Sequence, residues 1–142
     1  MGAEFVEVRI HSLTREIRVP RIVGALAAGR IMNTRTARSQ YMGAMIWGIS
    51  SALHKANEID QRHARYVNDN LADYLVQVNA DIQQLDVIMA PEEDHSVNPA
   101  GIKGIGELGN VGTGHVTPIT AGRCTYSAAV VLPIPVASPI AR

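Results

Sequence analysis

A long stretch without proline, residues 34–59, constrains the fold of this chain more than any other feature. Apolar and small side chains recur in it every three or four residues, which is the spacing of one face of an α-helix. Asn33 precedes the stretch and can accept hydrogen bonds from the free N–H groups of a first helical turn. The sequence therefore predicts a long helix from Thr34 to about Ile59, with a packed face formed by Ala37, Tyr41, Ala44, Met45, Gly48, Ile49, Ala52, Leu53 and Ala56.

The other residues of this helix add two expectations. Arg35 and Arg38 stand in the first turns, where positive charge opposes the helix dipole. They either bind an anion at the helix N-terminus or are solvated, and solvation is the commoner explanation. His54 is expected at the surface rather than as a metal ligand. Close packing against other backbone is predicted from the small residues Gly43, Ala44, Gly48, Ser50, Ser51 and Ala52.

An alternating segment, residues 4–11, precedes the helix. Its apolar side chains alternate imperfectly with Glu4, Glu7 and Arg9, which predicts a strand with these charged residues on the wet face.

More strands are expected on both sides of the helix. Residues 16–23 alternate again, and Pro20 within them predicts an edge strand or a strand end. This segment and the preceding one form a predicted antiparallel hairpin. Strands are also predicted at 65–68 and 81–89, whereas 71–76 is ambiguous between helix and strand. The predicted fold class is α+β, with a few strands packed with one long helix.

Composition excludes several classes of partner. The chain has 142 residues, 46% of them apolar, which is enough for one domain with a core. Acidic and basic residues balance at 13 each and aromatics are 4%, so neither nucleic acid nor an anionic membrane is an expected partner. Cys124 is the single cysteine, so no internal disulfide is possible. The first residues lack the pattern of a signal peptide, and no stretch has the length of a membrane span.

A glycine-rich stretch, residues 98–112, holds five glycines around one carboxylate, Glu107. Glycine lets backbone approach a ligand closely, so we interpret Glu107 as a residue presented to a substrate. A second interpretation is a dinucleotide loop, because Gly104, Gly106 and Gly109 form a literal GxGxxG. A dinucleotide-binding loop needs a strand directly before it, whereas the preceding residues 91–99 are predicted to form a loop. A glycine-rich surface turn without a ligand is the third.

Two other segments bear on function and order. Residues 92–95 (EEDH) are interpreted as a solvated acidic loop in preference to a metal site, since nothing else supplies matching ligand spacing. Residues 116–142 contain four of the seven prolines and no Asp, Glu or Lys. Neither helix nor strand is predicted for Ala128 to Leu132. We therefore expect an irregular, poorly ordered tail over 114–142.

Four segments, in this order, resemble the molybdenum-binding subunit of the xanthine dehydrogenase and aldehyde oxidoreductase family. They are residues 5–9 (FVEVR) with the following strand, 29–49 including NTRTARSQ, 66–76 (YVNDNLADYLV) and 101–112 (GIKGIGELGNVG). The last is most similar to the bacterial aldehyde oxidoreductase branch, where Leu-Gly follows the glutamate. The resemblance implies that residues 1–113 are the C-terminal portion of a molybdopterin-binding domain.

The resemblance also implies roles for individual residues. Glu107 matches the family's general base, which takes the proton from the hydroxyl group that attacks the substrate. Gln40 matches a glutamine that contacts the pterin. The backbone that passes beside the cofactor is matched by Lys103, Gly104, Ile105 and Gly106.

The family implies a molybdenum–molybdopterin cofactor, expected in the cytosine dinucleotide form, with iron–sulfur clusters and FAD on partner subunits. The implied reaction oxidises an aldehyde or related heterocycle. The expected compartment is the cytoplasm, with the periplasm, as part of an exported complex, as the alternative.

The family's subunit is several times longer than this chain, and the resemblance stops near Thr113. We therefore expect an out-of-frame reading beyond that residue, an internal start at Met1 and marginal stability. A non-catalytic fragment and a small binding module with a glycine-rich ligand loop remain alternatives, so whether the chain is itself an enzyme stays open.

Overall fold

The computed structural model describes residues 1–114 and 128–133, the latter as backbone. It has six strands, one long helix and a second helical segment, α2, over 108–114. In chain order the strands and the long helix are β1 (Gly2–Ile10), β2 (Ile17–Leu26), α1 (Thr34–Leu53), β3 (Ile59–Asp60), β4 (Arg65–Tyr66), β5 (Gln84–Met89) and β6 (Ala128–Pro133). This α+β content confirms the predicted fold class.

The main sheet has the strand order β5-β2-β1-β6. β1 and β2 form the predicted antiparallel hairpin, β6 pairs antiparallel with β1, and β5 runs parallel to β2. β3 and β4 form a separate two-stranded ribbon. β4 is shorter than the strand predicted at 65–68. Ahead of β5, a 3-10 turn (Asn79–Asp81) occupies the beginning of the strand predicted at 81–89.

The long helix begins where the sequence predicts. Asn33 Oδ1 accepts hydrogen bonds from the N–H groups of Arg35 and Thr36, at 3.0 and 3.2 Å. The helix ends at Leu53, earlier than the predicted Ile59. There the Ser50 carbonyl accepts from the N–H groups of both His54 and Lys55, which closes the last turn.

The core lies between α1 and one face of the sheet. Six members of the predicted helix face are buried, and three of them, Tyr41, Met45 and Ile49, form an apolar cluster with residues of the hairpin and β5. Arg38 extends from α1 to β5, where its Nη1 donates to the Val87 carbonyl at 2.9 Å. The cluster of buried apolar residues consists of Val6, Val8, Val19, Ile22, Leu26, Ala28, Tyr41, Met45, Ile49 and Val87.

The prediction for the faces of β1 is wrong at Glu4. This residue is buried and shares the inner face with Val6 and Val8, whereas Phe5 on the outer face is 40% exposed. Strict alternation along the strand sets this, because side chains two residues apart share a face. Glu7 and Arg9 lie outside, as predicted, and pair at 2.7 Å.

The expectation of an edge strand at Pro20 is wrong for β2 as a whole, which is an interior strand, although Pro20 itself precedes the residues that pair with β5. The register of β1 and β2 shifts at this point: Arg21 pairs with Glu7, but Arg18 pairs with Arg9. Pairing of β2 with β5 starts only at Arg21. Proline has no N–H to donate to a strand ladder, and the irregularity removes the need for one.

The apolar run from Ala128 forms β6, although the sequence predicted neither helix nor strand there. Long-range pairing with β1 supplies an organisation that local pattern lacks. The rest of the predicted irregular tail, 115–127 and 134–142, lies outside the described residues. None of the helices in the described ranges has the length and hydropathy required to cross a bilayer.

Candidate functional site

The glycine-rich stretch packs on the segment that joins β2 to α1. The N–H of Arg30 donates to the Gly101 carbonyl at 2.8 Å, and Gly29 forms an isolated bridge with Ile102. Both Gly29 and Gly101 have positive φ, at 65° and 67°, a conformation that other residues adopt at a cost. Asn98 closes the turn, since its amide bonds both the N–H and the carbonyl of Ile102.

Lys103 is tied to the acidic segment that precedes the loop. Its Nζ lies 3.0 Å from Glu92 Oε1 and 2.6 Å from Asp94 Oδ2. The other oxygen of Glu92 accepts the Gly29 N–H at 2.6 Å. The hydrogen bonds from Lys103 lower the pKa of both carboxyl groups. The interpretation of this segment as simply solvated is therefore wrong for Glu92 and Asp94.

This arrangement leaves the backbone of the loop, and not the lysine ammonium, for a ligand. The N–H groups of Gly104, Ile105, Gly106 and Glu107 donate no hydrogen bond to any described residue. A Cβ built on Gly104 or Gly106 meets no atom within 4 Å. The loop thus presents a row of donors that are unpaired among the described residues, and the space beside both glycines is open. Within residues 1–114, no three His, Cys, Asp or Glu side chains are grouped to hold a metal ion.

Gln40 of α1 lies beside the loop. Gln40 Nε2 lies 3.5 Å from the Gly106 carbonyl oxygen, across 66 residues of sequence. The Gln40 side chain is exposed, and its amide oxygen has no partner among the described residues. One amide group therefore contacts the loop and keeps an acceptor free.

Glu107 follows Gly106 in the chain and is exposed, immediately before the first residue of α2. Its carbonyl accepts the Asn110 N–H at 3.0 Å, which begins the helix. Within the described part of the chain, no hydrogen bond or ion pair involves its carboxylate. A carboxylate that is held by backbone and left unpaired is available to accept a proton from a bound molecule.

α2 crosses α1 at close range. A Cβ on Gly48 would lie 2.9 Å from the Gly114 nitrogen, and one on Gly109 would lie 3.0 Å from the Tyr41 carbonyl oxygen. The predicted contact of small α1 residues with other backbone is confirmed at Gly48. Gly43 makes no such contact, since its surroundings are open.

The sequence analysis missed a buried pair behind this site. The Thr113 hydroxyl oxygen of α2 lies 2.5 Å from Glu4 Oε2 of β1, and both residues are fully buried. Burial raises the pKa of the Glu4 carboxyl to about 7, although hydrogen bonds from Thr113 oppose the rise. Glu4 is in register with Val6 and Val8 on the inner face, and that spacing was the signal that could have revealed it.

Lys103, Glu92 and Asp94 form the Lys103 cluster. A cleft of about 690 Å³ lies on the other side of the loop, beside this cluster. It is lined by residues 29–31, Thr34, 89–95 and 99–101. Neither Gln40 nor Glu107 lines it. The chemistry-bearing residues lie on the open surface of the loop, so we place the candidate site there and not in the cleft.

The fold and the loop define a class: an α+β domain in which a glycine-rich turn presents a carboxylate beside an amide from the long helix. The sequence model of the molybdopterin cofactor-binding domain family matches residues 1–83. The chain is 46% identical over 111 residues to the aldehyde oxidoreductase molybdenum-binding subunit PaoC of Escherichia coli K12, covering 78% of this chain and 15% of that protein. It therefore belongs to the molybdopterin cofactor-binding domain family.

A second relative and a solved structure are similar to this chain at lower identity. The 6-hydroxypseudooxynicotine dehydrogenase complex subunit gamma of Paenarthrobacter nicotinovorans is 27% identical over 113 residues, covering 80% of this chain and 14% of that protein. The crystal structure of quinoline 2-oxidoreductase from Pseudomonas putida 86 superposes with a TM-score of 0.70 at 24% identity, over 84% of this chain and 15% of that one. The chain thus spans about one seventh of the length of these relatives.

The residues at the loop fit a molybdopterin cofactor. A pterin with its phosphate groups is rich in oxygen and nitrogen, and it needs both donors and acceptors around it. The N–H groups from Gly104 to Glu107, which donate to no described residue, supply donors, and the exposed Gln40 amide supplies both kinds of group. Open glycine surfaces let a large ligand approach the backbone.

Proposed function

We propose that this chain supplies the general base and one wall of the cofactor site of a molybdenum hydroxylase that oxidises aldehydes or related heterocycles. Glu107 is the base, while Gln40 and the backbone of 103–106 hold the cofactor. The observation that carries the proposal is the 3.5 Å approach of the Gln40 amide to Gly106, next to an unpaired Glu107.

The chemistry assigned to this chain is a proton transfer. Oxidation of an aldehyde to a carboxylic acid adds one oxygen from water and releases two protons and two electrons. The molybdenum cofactor, when bound, accepts the electron pair. Glu107 removes the proton from the attacking hydroxyl group, which makes that oxygen a better nucleophile for the carbonyl carbon. Its carboxylate oxygens have no partner among the described residues, so both are available for this transfer.

Gln40 and the loop backbone position Glu107. The amide contact to Gly106 fixes the turn immediately before Glu107. The ion pairs of Lys103 with Glu92 and Asp94 hold the other end of the turn. A base that directly follows a turn held at both ends loses little conformational freedom when substrate binds, and such positioning lowers the barrier.

The proposal extends to cofactor form and partners. We propose molybdopterin cytosine dinucleotide as the bound form, and iron–sulfur and FAD subunits as partners that receive the electrons. Two of the relatives are subunits by name, the molybdenum-binding subunit PaoC and subunit gamma of a dehydrogenase complex, and this supports an assembly of this type. The remaining part of a molybdenum subunit is a required partner. We propose the cytoplasm as the compartment, with the periplasm as the alternative.

The test is cofactor retention in the assembled complex. The chain is produced with the remaining part of a related molybdenum subunit and its partner subunits, and molybdenum and pterin are measured per complex. Gln40→Leu is expected to lower both contents, because the apolar side chain neither accepts nor donates a hydrogen bond. Ser39→Ala, an exposed neighbour on the same helix, is the matched control and should retain both. Equal contents in wild type and Gln40→Leu would contradict the cofactor role.

A further inference from the structure

A carboxyl group is enclosed between the hairpin and α2. Glu4 and Thr113 have no exposed surface, and Glu4 Oε1 has no hydrogen-bond partner among the described residues. A buried charge with an unsatisfied oxygen is costly, whereas a neutral acid loses much less on burial. The surroundings of Glu4 therefore favour the protonated carboxylic acid.

The single hydrogen of the Thr113 hydroxyl group decides which partner donates. The hydroxyl oxygen lies 2.5 Å from Glu4 Oε2 and 2.9 Å from the Gly109 carbonyl oxygen, one turn earlier in α2. A carbonyl oxygen can only accept, so a hydrogen shared with Gly109 must come from Thr113. The short contact with Glu4 then takes its hydrogen from the carboxylic acid. Ionised Glu4 would instead draw the Thr113 hydrogen away from Gly109.

Among the described residues, no charged group faces Glu4 from the elements that surround it. The pKa of Glu4 is governed by burial and by Thr113, with no contribution from a charged neighbour. On β1 the charged Glu7 and Arg9 lie on the outer face and pair with each other. The β2 residues 23–25 opposite, residues 108–114 of α2 and the sequence of β6 contain no ionisable side chain. Tyr41 is the one ionisable residue on the buried face of α1.

The backbone of α2 leaves room for the Glu4 carboxyl group at Gly112. A Cβ on Gly112 would lie 2.6 Å from Glu4 Oε2, so glycine at this position lets α2 approach the carboxyl group. The same helix begins one residue after Glu107. We propose that Glu4, as a neutral carboxylic acid, is a positioning residue that fixes α2 on β1 and thereby holds Glu107 in place. The functional meaning of this inference rests on the proposed role of Glu107.

The experiment is amide hydrogen exchange of residues 107–114 in the full chain, at about pH 5.5 and about pH 8.5, corrected for intrinsic rates. In the wild type, exchange at the higher pH becomes about tenfold faster, because ionised Glu4 no longer completes the hydrogen-bond chain. Glu4→Gln, whose amide donates to Thr113 at every pH, keeps slow exchange at both. Residues 34–53 of α1 serve as the internal reference.

Variants of Thr113 complete the test. Thr113→Val lacks the hydroxyl group and exchanges fast at both pH values, while Thr113→Ser restores the wild-type profile. Unchanged exchange of 107–114 between the two pH values in the wild type alone would overturn the proposal, even if every variant failed to fold. Equal profiles in wild type, Glu4→Gln and Thr113→Val would overturn it as well.

These readouts are independent of the proposed base. If Glu107→Gln keeps turnover in the assembled complex while the exchange profiles behave as expected, the base assignment fails and the role of Glu4 in fixing α2 stands. If the exchange profiles are flat while Glu107→Gln is inactive, the reverse holds.

Discussion

Gly48 of α1 and Thr113 of α2 stand so close that a Cβ built on Gly48 would lie 2.8 Å from the Thr113 Cβ. This distance is shorter than side-chain carbons tolerate, and the other near atoms belong to the α2 backbone. α2, which begins directly after Glu107, can therefore pack closely on α1 because Gly48 has no side chain.

Gly48→Ala is expected to destabilise the chain by about 1–3 kcal/mol, because the added methyl group forces the two helices apart. Gly43→Ala is the matched control on the same helix. Its Cβ meets nothing within 4 Å, so the higher helix propensity of alanine should stabilise the chain by up to about 1 kcal/mol. Urea unfolding at one fixed protein concentration measures both. A Gly48→Ala variant as stable as Gly43→Ala would refute this packing.

The burial of Glu4 predicts that the free energy of unfolding depends on pH. Its pKa is raised by burial from 4.5 to about 7, so the folded state binds the proton more tightly than the unfolded state. The stability contributed by neutral Glu4 is fully present below its unfolded pKa and is lost as pH rises to about 7. The loss is about 3 kcal/mol. Stability measured against Glu4→Gln isolates it, and a difference that is constant with pH would contradict the burial of Glu4 as an acid.

The ion pairs of the Lys103 cluster predict that stability falls as the pH becomes acidic, which is the opposite of the dependence expected for Glu4. Lys103 lowers the pKa of Glu92 and Asp94, so their contribution is present above the unfolded pKa values and is lost as pH falls below them. Lys103→Met should make amide exchange of 98–106 several times faster at neutral pH. Lys55→Met, which removes a lysine that lies over Trp47 instead, should leave that loop unchanged. Identical loop exchange in both variants would exclude an anchoring role for Lys103.

The exposed apolar side chains predict association. Leu71 is 84% exposed and Leu75 is 58% exposed, in the segment after the β3–β4 ribbon. Large exposed apolar areas favour contacts with other chains. We expect marginal stability, and sedimentation of the full chain should show self-association that weakens in Leu71→Ser/Leu75→Ser. A monomer that melts in one sharp cooperative transition would contradict this expectation.

Features encoded locally were predictable from the sequence. The cap at Asn33, the buried face of α1 and the hairpin follow from spacing and residue type. The end of α1, the interior position of β2 and strand β6 were not predictable, because each depends on partners distant in sequence. Glu4 was assigned to the wrong face because its charge outweighed its register with Val6. The glycine-rich stretch pointed to Glu107, whereas Gln40 and residues 103–106 came from the resemblance to a family, and the approach of Gln40 to Gly106 required the structure.

The central claim is that Glu107 is the general base of a molybdenum site. The direct measurement is aldehyde-dependent dye reduction by the assembled complex, comparing wild type with Glu107→Gln at equal molybdenum content. Loss of a positioned base lowers turnover by about 100-fold or more, so the account predicts a variant that retains the metal and is nearly inactive. Turnover equal to that of the wild type at equal molybdenum content would contradict it.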